Sequence, residues 1–205
     1  MKKVLVLCMA VLMLSSMFVL TSCSLFGGIE SEVEDLVNAT SYTYAKYNSD
    51  GYMTQLVMVD MENLVLYTEN YDGSKKEKIE SSTYAYYDED AGKYYQVICD
   101  SKGNPEIKTK IEEDMFFAGA REYAVAGTEM YKYTKLAIFM KEGEDELSYS
   151  AKNSNTTVTI YIDEEDQLCY EVKTGKTVIT DIKYYDIDDT EIEIPEDVLS
   201  EKVSK

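Results

Sequence analysis

The chain has 205 residues, with 39 acidic against 20 basic side chains, a formal charge of −19, and neither histidine nor tryptophan. Without histidine there is no Ser-His-Asp or Cys-His nucleophile and no imidazole metal site, and so acidic a balance argues against nucleic acid or an anionic lipid surface bound through clustered Lys and Arg. A hydrophobic content of 45% is still enough to build a core.

Residues 1–22 read as a secretory signal. Lys2 and Lys3 form a basic start, Val4 to Leu20 is an apolar run broken only by Ser15 and Ser16, and Leu20-Thr21-Ser22-Cys23 follows. Small residues directly before a cysteine resemble the lipobox of bacterial lipoproteins. The resemblance implies that the Cys23 thiol takes a diacylglyceryl group and becomes the first residue of the mature chain. The apolar run of 17 residues is marginal for a bilayer span, whereas two acyl chains suffice for stable anchoring. The expected address is the extracytoplasmic face of a bacterial cell membrane, reached through Cys23. Loss of residues 1–22 removes two lysines and no acid, which takes the formal charge from −19 to −21. Residues 23–28 are the lipidated cysteine and a short tether, and residues 29–205 are expected to form a single domain.

That domain opens with a short helix. Ser31 and Glu34 make a capping-box pattern, and Ile29, Val33, Leu36, Val37 and Thr40 fall at helical spacing. Strands follow. Tyr42 to Tyr47 runs into Asp50-Gly51, a strong hairpin turn. Met53 to Tyr67 divides near Asp60-Met61-Glu62-Asn63, and Thr83–Tyr87 and Lys93–Cys99 flank Asp88-Glu89-Asp90-Ala91-Gly92 as the clearest hairpin. A second short helix is expected over residues 110–120, from Ile111, Met115, Phe116 and Gly119 on one face. Strands return at Tyr131–Met140, Glu146–Lys152, Thr157–Ile162, Leu168–Lys173 and Thr177–Tyr185. Alternation of period two over this many segments means an antiparallel sheet with one buried face. The fold class is α+β, mostly antiparallel β.

Cys99 and Cys169 are the two thiols left in the mature domain. They could form a disulfide, closing a 70-residue loop for a stabilisation of ~4 kcal/mol, or remain as two buried apolar thiols. Asp163 to Asp166 and Asp186 to Glu191 lack the glycine and glutamate positions of a calcium loop and read as turns. No metal, cofactor or catalytic residue is assigned, and no nucleophile or phosphate-binding motif is present, so no enzyme activity is expected. Tyr84, Tyr86, Tyr87, Tyr94 and Tyr95 crowd one hairpin, which suits either strand packing or recognition.

Asp181 to Asp186 and Glu191 to Val198, together with the order of lipobox, helix and interrupted strands, resemble the bacterial lipoprotein-carrier-like family. The resemblance implies a half-open barrel or strongly curved sheet packed on two short helices, with an apolar cavity between them. Met53, Met58, Met115, Phe116, Phe117 and Phe139 are candidates to line such a cavity, or equally to fill a core. The expected function is binding of a lipid-like or other apolar small molecule. The alternative is an acidic interaction module with a filled core that meets a cationic envelope protein.

Overall fold

The computed structural model describes residues 29–120, 141–142, 146–150 and 155–203. Cys23 and the expected signal, the strand expected over Tyr131–Met140, and Phe139 lie outside them. Among the described residues eleven strands form one antiparallel sheet: β1 (Ser41–Tyr47), β2 (Met53–Asp60), β3 (Val65–Tyr71), β4 (Ile79–Asp88), β5 (Lys93–Cys99), β6 (Pro105–Ile111), β7 (Lys141–Glu142), β8 (Glu146–Ser150), β9 (Thr156–Ile162), β10 (Leu168–Thr174) and β11 (Thr177–Tyr185). The helices described are α1 (Ile29–Asn38), α2 (helical over residues 113–120) and α3 (Glu196–Ser200). The chain is mostly antiparallel β with little helix.

The order is β6-β5-β4-β3-β2-β1-β11-β10-β9-β8-β7. Two meanders therefore meet where β1 pairs with β11, and the sheet is open, with β6 and β7 at opposite ends. Turn chemistry sets the hairpins. At the β4–β5 turn the Asp88 carboxylate accepts from the Ala91 amide at 2.9 Å and Gly92 takes φ 61°, which a side chain would disfavour.

One face of the sheet carries the larger core. Tyr42, Tyr44, Val57, Val59, Leu66, Ala85, Ile160, Ile182 and Tyr184 project to it, and Ile29, Val33 and Leu36 of α1 and Phe116 of α2 cover them. Each aliphatic side chain buried this way contributes about 1.5–3 kcal/mol. α1 packs over β9 and β10. It is ten residues long, as its periodicity predicts, but it starts at Ile29, so Ser31 lies inside the first turn and does not cap it.

The opposite face is not simply solvated, contrary to the expectation of one buried face. Val65, Tyr86, Tyr95, Val97 and Cys99 form a second buried cluster with Val198, and Ile192 and Ile194 pack against it. After β11 the chain turns across β1: Asp188 accepts from the Thr40 amide at 2.8 Å, and the Thr190 and Thr43 hydroxyls meet at 3.0 Å. It then runs over β3–β6 as a strap ending in α3. Lys108 fastens it. Only 5% exposed, its ammonium donates to the Leu199 carbonyl at 2.8 Å and lies over the rings of Tyr95 and Tyr86, 4.8 and 5.6 Å from their centroids.

One further expectation is corrected here, and of the two alternatives for the cysteines the buried free thiols are the ones found. Residues 110 and 111 are not helical: they end β6, a strand hidden in the sequence because its inward position on the strap side is a lysine and Ile107 is exposed. Cys99 and Cys169 do not pair. Both are free and buried, and five strands separate β5 from β10, roughly 29 Å along the sheet at strand spacing, against a Cα limit of about 7 Å for a disulfide.

Candidate functional site

At the Gly92 end of the β4–β5 hairpin, on the face that bears α2, lies a cavity of about 460 Å³. Leu64, Tyr87, Tyr94 and Ile111 wall it, and Gly92, Lys93, Lys110, Glu112 and Glu113 also line it. Register explains the wall: Tyr87, Tyr94 and Ile111 are direct cross-strand neighbours on β4, β5 and β6 and so share one face.

The aromatic wall continues into α2. The Tyr94 centroid lies 4.9 Å from Tyr87, 4.9 Å from Phe116 and 6.1 Å from Phe117. Phe116 and Phe117 meet edge-to-face at 5.4 Å. The Glu112 carbonyl accepts from the Met115 and Phe116 amides at 3.0 and 3.3 Å, which starts α2 within one residue of β6 and brings its aromatics to Tyr94.

Leu64 closes the opposite wall in a strained conformation. Its φ of 53° lies in the left-handed region, which costs a branched residue roughly 1–2 kcal/mol. The carbonyl of Leu64 accepts from the Tyr87 amide at 3.1 Å, locking that geometry to the cavity wall.

Charge around the cavity is uneven. Lys110 and Glu112 approach at 3.7 Å, both well exposed. Lys93 makes no ion pair among the described residues, and the Asp88 opposite it is turned to the Ala91 amide. Burial of its ring, with the Glu113 carboxylate near, holds the Tyr94 phenol above its ordinary value.

Of the cavity candidates named from sequence, Met115, Phe116 and Phe117 lie on α2, where the two rings pack behind Tyr94, and none of the three is among the residues that line the cavity. Phe116 is fully buried, Phe117 half-buried, and Met115 is 62% exposed next to them. Met53 and Met58 lie on β2, Met58 on the strap side of the sheet and paired with Tyr67, away from this wall. The residues that do form the wall had no distinguishing signal beyond tyrosine density, because their convergence depends on hairpin register and on β6.

Other polar groups collect on the strap side of β9–β11. Lys183 donates to Asp163 at 2.7 Å, and Tyr47 and Tyr185 share a hydrogen bond of 3.0 Å. Burial would raise the Asp163 carboxyl, but Lys183 and the Gln167 and Glu165 amides outweigh it and hold it below its ordinary value. Asp181, directly opposite Glu171, is shifted the other way by burial and by that carboxylate, and its Oδ1 is buried without a partner among the described residues. Burial also pushes the Cys169 thiol up to about 12 and raises Cys99, which leaves both as poor nucleophiles. Among the described residues no three acid or thiol side chains are placed to hold a metal ion, and no helix is long and apolar enough to cross a membrane. No protein-family model matches the chain, and no curated protein shows significant similarity to it.

Proposed function

We propose that this chain is a lipoprotein anchored through Cys23 to the extracytoplasmic face of a membrane, and that it binds an apolar, lipid-like molecule in the aromatic cavity. The sheet then serves as a half-open barrel curved over α1 and α2, with the cavity at its β6 end. The observation that carries the reading is the Leu64–Tyr87–Tyr94–Ile111 wall, the apolar side of a volume of about 460 Å³ within the usual range for ligand sites, whose other lining residues are Gly92, Lys93, Lys110, Glu112 and Glu113. The acidic surface keeps such a protein soluble and away from anionic headgroups while its anchor holds it nearby.

Two measurements test the reading. An alkyne fatty acid fed to expressing cells should label Cys23, and Cys23→Ser should lose both label and membrane association; a Cys23→Ser protein that stays in the membrane fraction refutes the anchor. Native mass spectrometry of the full chain released from micelles should find one apolar adduct. Leu64→Trp, which fills the cavity, should lose it. No adduct, or one retained by the filled variant, refutes binding at this site.

A further inference from the structure

We infer that the outer edge of β6, over residues 107–111, is a strand-addition site for a second copy of this chain, and that the C-terminal tail holds it shut in the monomer. β6 ends the sheet on one side, so one edge of its backbone has no strand of the sheet beside it. Such an edge is a template for another chain unless something blunts it.

A short contact occupies that edge. Lys108 pairs with Val97 of β5 on its inner side, and on its outer side it forms a single parallel bridge with Val203, just beyond α3. The first part of β6 is blunted by other means. Pro105 lacks an amide hydrogen, and the pairing slips between Ile98 and Cys99, which oppose Ile107 and Pro105. Residues 107–111 carry neither device, so among the described residues the tail alone guards them.

The sequence makes this stretch self-complementary. Ile107-Lys108-Thr109-Lys110-Ile111 reads the same in both directions. Antiparallel pairing about a two-fold axis at Thr109 therefore sets Ile107 opposite Ile111 of the second copy, and Thr109 opposite its own counterpart. These three residues share one face by alternation. The isoleucine pairs bury apolar area, and paired threonines hydrogen-bond across strands. Ile107 and its β5 neighbour Ile98 are 44% and 36% exposed, an apolar pair at the open edge that the second copy covers. On the other face Lys108 meets Lys110 of the second copy, a like-charge pairing that is unfavourable if both ammonium groups stand at the junction. Both are drawn off. Lys108 donates inward to the Leu199 carbonyl, over the rings of Tyr86 and Tyr95, and Lys110 reaches Glu112 at 3.7 Å. A two-fold pairing uses the same edge on both copies and closes at two chains.

The test compares the full chain with a form ending at Ser200, both in detergent micelles, each with and without T109C. Truncation there keeps the Leu199 carbonyl that Lys108 holds, and circular dichroism reports whether the sheet is kept. Native mass spectrometry should find the full chain monomeric and the truncated chain dimeric, its dimer dissociation constant lowered about tenfold or more. Thr109 is exposed, and directly opposed residues of an antiparallel pair lie about 4.5–5.5 Å apart at Cα, within the range a disulfide spans. T109C chains should therefore crosslink to each other on mild oxidation, about tenfold faster after truncation, with the linked peptide identified by mass spectrometry. Thr109→Lys, which opposes two ammonium groups at the axis, should return the truncated chain to a monomer. A folded truncated chain that stays monomeric overturns the site. If the truncated chain does not fold, full-length T109C decides, and absence of its crosslink overturns the site. Equal dimerisation with and without the tail overturns the guard. A dimer that survives Thr109→Lys overturns the register. Open-ended polymers overturn the two-fold pairing, since β6 joined to the β7 edge of the next copy does not close.

Discussion

Tyr184 and Tyr42 sit side by side in the main core, their centroids 6.5 Å apart, yet removing their hydroxyls should move stability in opposite directions. Tyr184 is 1% exposed and its hydroxyl has no partner among the described residues. A buried hydroxyl without a partner carries a desolvation cost of about 1–3 kcal/mol. Tyr184→Phe removes that cost and leaves only a small void, so it should stabilise by about 1 kcal/mol. Tyr42 is equally buried, but its hydroxyl donates to the Ala120 carbonyl at 3.0 Å and ties α2 to the sheet. Tyr42→Phe loses that bond and strands a carbonyl, for a loss of about 1–2 kcal/mol. The two variants should therefore differ by about 2–3 kcal/mol, or roughly 5–10 °C in Tm for a domain of this size. Urea unfolding followed by circular dichroism of the sheet band checks it, with the slope m unchanged between variants. A Tyr184→Phe protein destabilised by more than about 1 kcal/mol refutes the hydrogen-bond accounting, as does a Tyr42→Phe protein with an unchanged midpoint.

Lys108→Met keeps the apolar stem but removes the ammonium that holds the Leu199 carbonyl. Amide exchange at Val198 and Leu199 should rise about tenfold while the sheet amides change little, and equal exchange in both proteins would show that the strap is held by its isoleucines alone. Asp181 has a folded pKa raised by burial and by Glu171, so the folded state favours its protonated form; this contribution is present at low pH and is lost as pH rises through the raised value. Asp181→Asn should then raise the urea midpoint at pH 7 and do little below pH 4, and a destabilised variant at pH 7 would refute the sign. Asp163 runs the opposite way: its lowered pKa contributes stability above the ordinary carboxyl range that is lost as pH falls, so Asp163→Asn should flatten the acid limb of the stability curve. Cys99 and Cys169, free and buried with raised pKa values, should react with iodoacetamide at pH 8 only after unfolding, as intact mass would report.

Much of the sheet is legible in the residues themselves. Asp50-Gly51 and Asp88 to Gly92 mark hairpins through their own backbone preferences, and alternation in Val158–Ile162 or Leu168–Val172 needs no distant partner to be read. The α1 helix is also visible, since Ile29, Val33 and Leu36 repeat at its period and are the residues buried. β6 is not, because Lys108 interrupts the apolar pattern and is satisfied only by rings and a carbonyl brought from elsewhere. The candidate site is less legible: Phe116 and Phe117 pack behind Tyr94 and do not line the cavity, while Leu64 and Ile111 carry no mark of the role.

Composition, turn residues and periodicity therefore determined an acidic chain that is mostly antiparallel β. Those are local properties, written in each segment. Tertiary structure decided which strands adjoin, that β11 returns to β1, that the last residues strap the second face, and that Cys99 and Cys169 stand far apart. It also decided the cavity, whose wall joins Leu64 to Ile111 across 47 positions of sequence. Such a wall arises from strand register and helix placement, and these depend on the free energy of burying both faces together, which no single segment contains.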